Sequence, residues 1–176
     1  MDHHNYNFGQ AFHEWGRIPV DDFDYMTGDE LLGMHPPQFV ELLEIASKVR
    51  WATGEWRNKD NKLIEFMNLG SVKDKTVIDF GCGMGLDSVK FAIHGANNIL
   101  ADIHPKTLLV AQKTLQVMTG KIAKQLCVTQ LMEPFFHIRE NFDVFWSFGV
   151  LHHTPYIDQI LRRACSCLNP GGECRI

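Results

Sequence analysis

Glycine occupies every second position after a short apolar run in the stretch VIDFGCGMGLDSV, residues 77–89. Gly81, Gly83 and Gly85 stand where a buried strand is predicted to turn into a helix, and such spacing lets the backbone approach a ligand. A P-loop requires a lysine followed by serine or threonine at a fixed offset, and this stretch has neither. A dinucleotide-binding turn requires a small residue at position 86, where this sequence has leucine. The pattern therefore indicates a glycine turn for another kind of ligand.

Two acidic residues indicate what that ligand would carry. A carboxylate at Asp79, just before the first glycine, would repel a pyrophosphate but would suit an ammonium group. The glycine backbone and the helix N-terminus would still offer N–H groups to a carboxylate. Asp102 follows Gly81 by about 20 residues, the spacing at which an acid accepts hydrogen bonds from ribose hydroxyls. S-adenosylmethionine has all three groups. The alternatives are a glycine turn without a ligand and a helix-capping role for Asp102.

The composition narrows the class of protein. The chain has 176 residues, of which 45% are hydrophobic and 22% are charged, as in an ordinary soluble domain. A net charge of −4 argues against nucleic-acid binding, and no apolar run is long enough to predict a membrane span. The N-terminus has no secretory signal pattern, and an odd count of five cysteines indicates reduced thiols. We therefore expect a cytoplasmic protein without a metal site.

Strand and helix patterns alternate from residue 76 onward, which predicts a parallel sheet with helices on both faces. Proline and glycine mark the start and end of the second helix. The predicted strands are 75–80, 98–101, 125–129, 142–147 and 173–176, and the predicted helices are 86–93, 105–119 and 156–168. The predicted fold class is α/β, a Rossmann-like, doubly wound sheet.

The first 70 residues have a different character. Amphipathic patterns predict helices at 36–49 and 61–69, whereas the aromatic-rich stretch 8–26 has no regular period. We expect residues 1–70 to form a helical and irregular lid segment over a cofactor-binding domain of residues 71–176. Arg50 at the end of the first helix could meet the carboxylate of the cofactor.

From about Thr76 to Ile176 the sequence resembles the class I S-adenosylmethionine-dependent methyltransferases. The similarity is to the small-molecule enzymes of the ubiquinone and menaquinone biosynthesis type. The matching stretches are VIDFGCGMG (77–85), FAIHGA (91–96), LADIHP (100–105), FDVFWSFGVLHHTP (142–155) and LNPGGECRI (168–176). The resemblance implies a Rossmann-like sheet and methyl transfer from S-adenosylmethionine to a small-molecule acceptor.

The resemblance also implies residue roles. The three glycines would line the methionine part of the cofactor, Asp102 would bind the ribose, and Ile103 would pack on the adenine. After the third strand the family usually has an acid for the adenine amino group; here Gln130 could accept through its amide oxygen. The expected cofactor-binding residues are Asp79, Phe80, Gly81, Cys82, Gly83, Gly85, Asp102, Ile103, Gln130, Leu131, Ser147 and Phe148.

A pair of histidines provides the candidates for acid–base chemistry. His152 and His153 follow the fourth predicted strand, at the expected mouth of the site. One of them could remove a proton from the acceptor or orient it. The alternative is that they cap a turn before Thr154-Pro155.

Two other functions stay open beside methyl transfer. The first is a non-catalytic module that binds the cofactor, and the second, disfavoured by Leu86 and Asp79, is a nicotinamide-dependent oxidoreductase. The sequence ends inside the fifth predicted strand, so we expect a sheet truncated there. An exposed strand edge would promote self-association.

Overall fold

The computed structural model describes residues 16–20, 24–52, 54, 56–128 and 141–176. Within these ranges the part before the sheet contains an antiparallel strand pair and helices. They are β1 (Arg17–Pro19), β2 (Tyr25–Thr27), α1 (Gly28–Gly33), α2 (Pro36–Trp51) and α3 (Lys62–Met67). α1 begins with a capping box, because Thr27 and Glu30 exchange hydrogen bonds between side chain and backbone. Two prolines begin α2, as predicted.

The centre of the described structure is a parallel sheet of five strands with helices in the connections. In chain order the elements are β3 (Thr76–Phe80), α4 (Leu86–Ile93), β4 (Asn97–Asp102), α5 (Pro105–Thr119), β5 (Lys124–Cys127), β6 (Phe142–Trp146), α6 (Ile157–Cys167) and β7 (Leu168–Arg175). The order across the sheet is β5-β4-β3-β6-β7, so the direction of winding reverses between β3 and β6. The predicted Rossmann-like class is confirmed.

Side chains of β3 alternate between two packed faces. Ile78 and Phe80 lie in one cluster with Ile160 and Ala164 of α6. On the opposite face, Val77 packs with Phe91 of α4 and with Trp146 of β6. α5 covers the same side as α4, through Leu100, Leu108 and Ala111. Both faces of the sheet are therefore covered at its centre, which explains why β3 and β6 are mostly apolar and buried, whereas the edge strands β5 and β7 keep polar, exposed residues.

The N-terminal elements pack on the turn after β3 and on α5. One hydrophobic cluster joins Ile18, Phe39 and Leu43 to Met84 and Val110. Polar contacts fix the same junction: Lys113 donates hydrogen bonds to backbone carbonyls of Leu31, Leu32 and Met34, and Lys106 forms an ion pair with Asp29.

The last strand differs most from its prediction. β7 begins at Leu168, five positions before the predicted start, and is irregular where it passes Phe142 and Val144. The predicted bounds place the Asn-Pro-Gly-Gly sequence between the last helix and the last strand, but it lies within β7 at an irregularity of the pairing with β6. There the Asn169 side chain donates a hydrogen bond to the Asp143 carboxylate. β5 ends at Cys127, and part of the predicted third strand lies outside the described residues.

No helix in the described ranges combines the length and the apolar character needed to span a bilayer.

Candidate active site

A cavity of about 140 Å³ opens at the carboxyl ends of β3 and β6, where the strand order reverses. This is the position at which open α/β sheets bind ligands. One wall is formed by the glycine turn and the start of α4. The opposite wall comes from the N-terminal elements, where Arg50 adds a guanidinium to an otherwise apolar set of Pro19, Val20, Ala46 and Val49. The cavity thus lies between the two parts of the chain that the sequence distinguished.

The three glycines of the turn all have positive φ, but they have different neighbours. A Cβ at Gly81 would lie 2.4 Å from a methyl group of Val150, and a Cβ at Gly85 would lie 3.0 Å from the backbone of Ala111. A Cβ at Gly83 would meet nothing within 4 Å. Close packing therefore explains two of the glycines, and Gly83 is the one that faces open space.

The backbone N–H groups of the glycine turn are largely used inside the protein. Gly81 and Cys82 both donate to the carbonyl of Ala101, and Gly83 donates to the carboxylate of Asp102 at 3.2 Å. Gly85 donates to the carbonyl of Cys82. The expectation that these glycine N–H groups stay available for a ligand carboxylate is therefore wrong, because Gly81 and Gly83 bind the turn to β4 and Gly85 closes the turn on itself.

Asp79 is a buried carboxyl group at the cavity wall, 4% exposed. The Ser88 hydroxyl donates a hydrogen bond to this carboxyl group at 2.7 Å. Burial raises the pKa of Asp79 to about 7, and the nearby carboxylate of Asp87 contributes to the rise. Asp79 therefore changes its charge close to neutral pH.

An ion pair that the sequence analysis did not predict joins α2 to α4 across the cavity. Arg50 donates to Asp87 through Nε at 2.8 Å and Nη2 at 2.5 Å, and Trp146 donates to Asp87 through Nε1 at 2.8 Å. The Arg50 and Asp87 side chains are 13% and 10% exposed. The Arg50 guanidinium also lies 4.7 Å from the ring centre of Phe148. The sequence signal for this ion pair is Asp87 in the first turn of a predicted helix. Acidic residues are common at that position, so the signal does not identify a functional site.

Asp102 lies at the end of β4, beside the glycine turn. Its carboxylate accepts hydrogen bonds from the backbone N–H groups of Gly83 and His104. Burial raises the pKa of Asp102 to about 6, although these hydrogen bonds oppose the rise. Each carboxylate oxygen has a further lone pair that could accept from a hydroxyl.

The remaining predicted cofactor residues are placed as follows. Ser147 and Phe80 are buried side by side, with the Ser147 hydroxyl donating to the Phe80 carbonyl at 3.1 Å. Cys82 and Phe148 line the cavity, and Ile103 is half-buried against the cluster under α6. Gln130 and Leu131 lie outside the described residues. Cofactor contacts of all these residues stay predictions.

His152 and His153 lie in a short 3₁₀ helix after β6 and are both exposed, with ring centres 3.9 Å apart. Val150 places this segment against Gly81. Partial burial lowers the pKa of His153, and the neighbouring His152 lowers it further. The contact with the glycine turn is made by Val150, and neither histidine is among the described residues that line the cavity. The catalytic role of the pair stays a prediction. In the described part of the chain, no group of three or more potential ligands could hold a metal ion.

Comparison with known protein families assigns the region around the sheet to one family. The family described as methyltransferase domain matches residues 78–174, more than half of the chain. The chain belongs to the methyltransferase domain family. Its matched region runs from β3 into β7 and includes the glycine turn, Asp102 and the histidine pair.

Similar proteins agree with this assignment. The ubiquinone biosynthesis O-methyltransferase of Dechloromonas aromatica (strain RCB) is 31% identical over 104 residues, which are 58% of this chain and 44% of that protein. The homologue from Azorhizobium caulinodans is 30% identical over 106 residues, covering 60% of this chain and 40% of its own length. This chain therefore spans less than half the length of these relatives.

Solved structures show the same methyltransferase fold. The magnesium protoporphyrin IX methyltransferase of Synechocystis PCC 6803, solved with bound S-adenosylmethionine, is 18% identical with a TM-score of 0.58, covering 96% of this chain and 75% of that one. An S-adenosylmethionine-dependent methyltransferase from Clostridium acetobutylicum ATCC 824 is 15% identical with a TM-score of 0.57, covering 78% and 56%. At these identities the likeness concerns the fold.

Proposed function

We propose that this methyltransferase-family chain binds S-adenosylmethionine in the cavity beside Gly83 and contributes to transfer of its methyl group to a small-molecule acceptor. The curated relatives are named for O-methylation in ubiquinone biosynthesis, which supports a small acceptor and a hydroxyl nucleophile.

The charge of the cavity carries this proposal. Among the described residues, Asp79 and Asp87 line it together with one guanidinium, that of Arg50, which is already paired with Asp87. Apart from Arg50, the opposite wall is apolar. A site whose carboxyl groups outnumber its cationic groups suits a ligand that has a cationic end, because the ligand supplies the positive charge that the second carboxylate lacks. S-adenosylmethionine has such an end in its methionine part.

Each part of the site has a role in this proposal. When bound, the cofactor supplies an electrophilic methyl group on a positively charged sulfur. Asp79 would face the positive charge, and the lack of a side chain at Gly83 would leave room for the ligand. Asp102 would accept hydrogen bonds from the ribose. The apolar wall would exclude water from the reacting atoms. His153, whose lowered pKa keeps it neutral at pH 7, would take the proton of an acceptor hydroxyl.

The test has a binding arm and a turnover arm. Calorimetry should show binding of S-adenosylmethionine and none of NAD. S-adenosylmethionine with a deuterated methyl group, incubated with the protein and a small-molecule extract, should then give labelled products by mass spectrometry. Histidine 153 is tested by His153→Gln, with His94→Gln as the control on the far end of α4; turnover should fall about 100-fold in the first variant alone. Equal turnover in both would remove His153 from the mechanism.

Two other functions predict different outcomes of the same experiment. A non-catalytic binding module would bind S-adenosylmethionine and give no labelled product. A nicotinamide-dependent oxidoreductase would bind NAD, which the carboxylates of Asp79 and Asp87 oppose by repelling a pyrophosphate.

We also propose that residues 1–70 act as a lid on a cofactor-binding domain of residues 71–176. The support is that Val20 and Arg50 line the cavity and that Met84, in the glycine turn, packs in the N-terminal cluster. Hydrogen exchange with and without S-adenosylmethionine tests the lid. Amides near Arg50 should exchange more slowly with the cofactor, and unchanged exchange there would contradict it.

The cellular setting and self-association are further proposals. Five cysteines, of which Cys127 and Cys165 are exposed and free, are compatible with the reducing cytoplasm. β7 is an edge strand among the described residues, which supports pairing between copies of the chain. Sedimentation at several concentrations tests this, since a concentration-independent monomer would contradict it. The net charge of −4 argues against nucleic acid as a partner.

A further inference from the structure

Among the described residues, carboxyl groups outnumber cationic groups in the buried region around the glycine turn. Asp79, Asp87 and Asp102 surround the turn, and each of the three is less than 10% exposed. Arg50 makes both of its charged hydrogen bonds to Asp87, so it neutralises that carboxylate first. An ionised carboxyl group in such a place is costly unless another cation or a proton is present.

Asp79 has the least compensation of these three carboxyl groups. On α4 it faces Ser88, which donates one hydrogen bond, and Asp87, which repels its negative charge. The guanidinium of Arg50 on α2 attracts the ionised form of Asp79, and the carboxylate of Asp102 on β4 repels it. By contrast, Asp102 accepts two backbone N–H groups.

The other titratable group next to Asp79 is the Cys82 thiol in the glycine turn. Burial raises the pKa of Cys82 well above its ordinary value, and the carboxylates of Asp102 and Asp79 raise it further. The thiol is therefore neutral near pH 7 and supplies no countercharge. In the part of the chain that the structure describes, Ser88 and Arg50 are the groups that favour the ionised form of Asp79, and they do not offset its burial. A proton therefore neutralises this carboxyl group.

We propose that Asp79 carries a proton in the ligand-free protein and releases it when the cationic methionine end of S-adenosylmethionine enters the cavity. The carboxylic acid becomes a carboxylate beside the ligand's positive charge, and the proton passes to water and buffer. This inference rests on the proposed function and adds to it a coupling between cofactor affinity and pH.

The coupling has a definite size and sign. Because the pKa of Asp79 is raised to about 7, Asp79 should release about 0.9 proton per bound ligand at pH 6 and about 0.5 at pH 7. The same linkage predicts that affinity for S-adenosylmethionine rises about fivefold between pH 6 and pH 7 through Asp79 alone. Ligands without a positive charge should not cause this proton release from Asp79 or this rise of affinity with pH.

Calorimetry in buffers with different heats of ionisation counts the released protons. The test ligand is S-adenosylmethionine and the matched control ligand is 5′-methylthioadenosine, which keeps the adenine and ribose but has no charged end. Any proton released by Asp102 on binding ribose should appear with both ligands, so the excess with S-adenosylmethionine reports Asp79. We expect that excess to be close to one proton at pH 6.

Two variants assign the proton to its residue. Asp79→Asn should remove the excess release, and its affinity for S-adenosylmethionine should approach that of the unchanged protein as the pH is lowered toward 5.5. Ser88→Ala removes the hydrogen bond that lowers the pKa of Asp79, so it should move the release to higher pH. The Ser88 variant keeps the proposal testable if Asp79→Asn does not fold.

The outcomes separate this inference from the proposed function. Binding of S-adenosylmethionine with the same proton release as 5′-methylthioadenosine would overturn the role of Asp79 and leave the cofactor assignment intact. Unchanged release in Asp79→Asn, or an unshifted curve in Ser88→Ala, would also overturn it. If S-adenosylmethionine does not bind at all, the proposed function fails with it.

Discussion

Removing the carboxylate of Asp87 should destabilise the protein strongly. In Asp87→Asn the side chain keeps its shape, but the largely buried guanidinium of Arg50 loses its countercharge. An asparagine can accept the hydrogen bonds of Trp146 Nε1 and Arg50 Nη2 with its oxygen. Its amide nitrogen then faces Arg50 Nε, and two donors point at each other.

The expected cost follows from the burial of the pair. Arg50 and Asp87 are 13% and 10% exposed, so the pair belongs to the class in which loss of one partner costs about 3–5 kcal/mol. In a protein of this size each kcal/mol lowers the melting temperature by about 2–4 °C. The variant should therefore melt about 6–20 °C lower.

The assay is urea and thermal unfolding of the variant beside a matched control. Asp29 and Lys106 form an exposed ion pair, with side chains 71% and 48% exposed, so Asp29→Asn should cost less than about 1 kcal/mol. A double variant with Arg50→Met should cost less than the two single changes added together. Equal, small losses in Asp87→Asn and Asp29→Asn would refute the view that the Arg50 pair holds α2 against the glycine turn.

Three further predictions concern the turn, the buried acid and the N-terminal junction. Gly85→Ala should destabilise the protein by about 1–3 kcal/mol more than Gly83→Ala, because a Cβ at Gly85 would press on the backbone of α5, which thermal melting measures. Gly83→Ala should instead weaken cofactor binding, which a titration with S-adenosylmethionine measures. The raised pKa of Asp79 means that the folded state binds more protons than the unfolded state between about pH 4 and pH 7, so the unfolding free energy of the ligand-free protein should fall as pH rises through that window. Urea unfolding at several pH values should show that the unfolding free energy of Asp79→Asn falls less steeply with pH than that of the unchanged protein. Equal slopes of unfolding free energy against pH would contradict the prediction. Lys113→Met loses the ammonium group that lies 4.1 Å from the Phe39 ring centre and that donates to the carbonyls of Leu31 and Leu32. It should therefore cost about 1–3 kcal/mol and speed proteolysis of the N-terminal elements. Unchanged digestion would count against this junction.

Local sequence signals predicted the central elements well. The predicted bounds of α4 and α5 agree with the structure, because Pro105 and Gly120 act at the ends of α5 and a glycine precedes α4. β7 could not be located in the same way. Its first half is bound to Asp143 through Asn169, and no nearby residue in the sequence signals that contact. Its Asn-Pro-Gly-Gly sequence favours a turn by local propensity, which the pairing with β6 overrides.

The candidate site also contains parts that the sequence predicts and parts that it does not. The glycine turn and Asp102 follow their strands directly, so their meeting at one sheet edge could be predicted from order alone. The contacts of Asp87 could not, because Arg50 and Trp146 lie 37 and 59 residues away in the chain. Gly81 and Gly85 are required by close packing against Val150 and Ala111, which are distant in the sequence. The sequence alone therefore does not distinguish these two glycines from Gly83.

Met84 has a consequence for how homologous chains can vary. It stands in the middle of the glycine turn, where ligand contact would ordinarily set the choice of residue, yet it is 5% exposed and packs with Ile18, Val20 and Phe39. The volume allowed at position 84 is therefore set by residues more than 40 positions upstream. In related sequences the size of residue 84 should covary with the side chains at those N-terminal positions, and replacing the N-terminal segment with a foreign one should require a matching change inside the glycine turn.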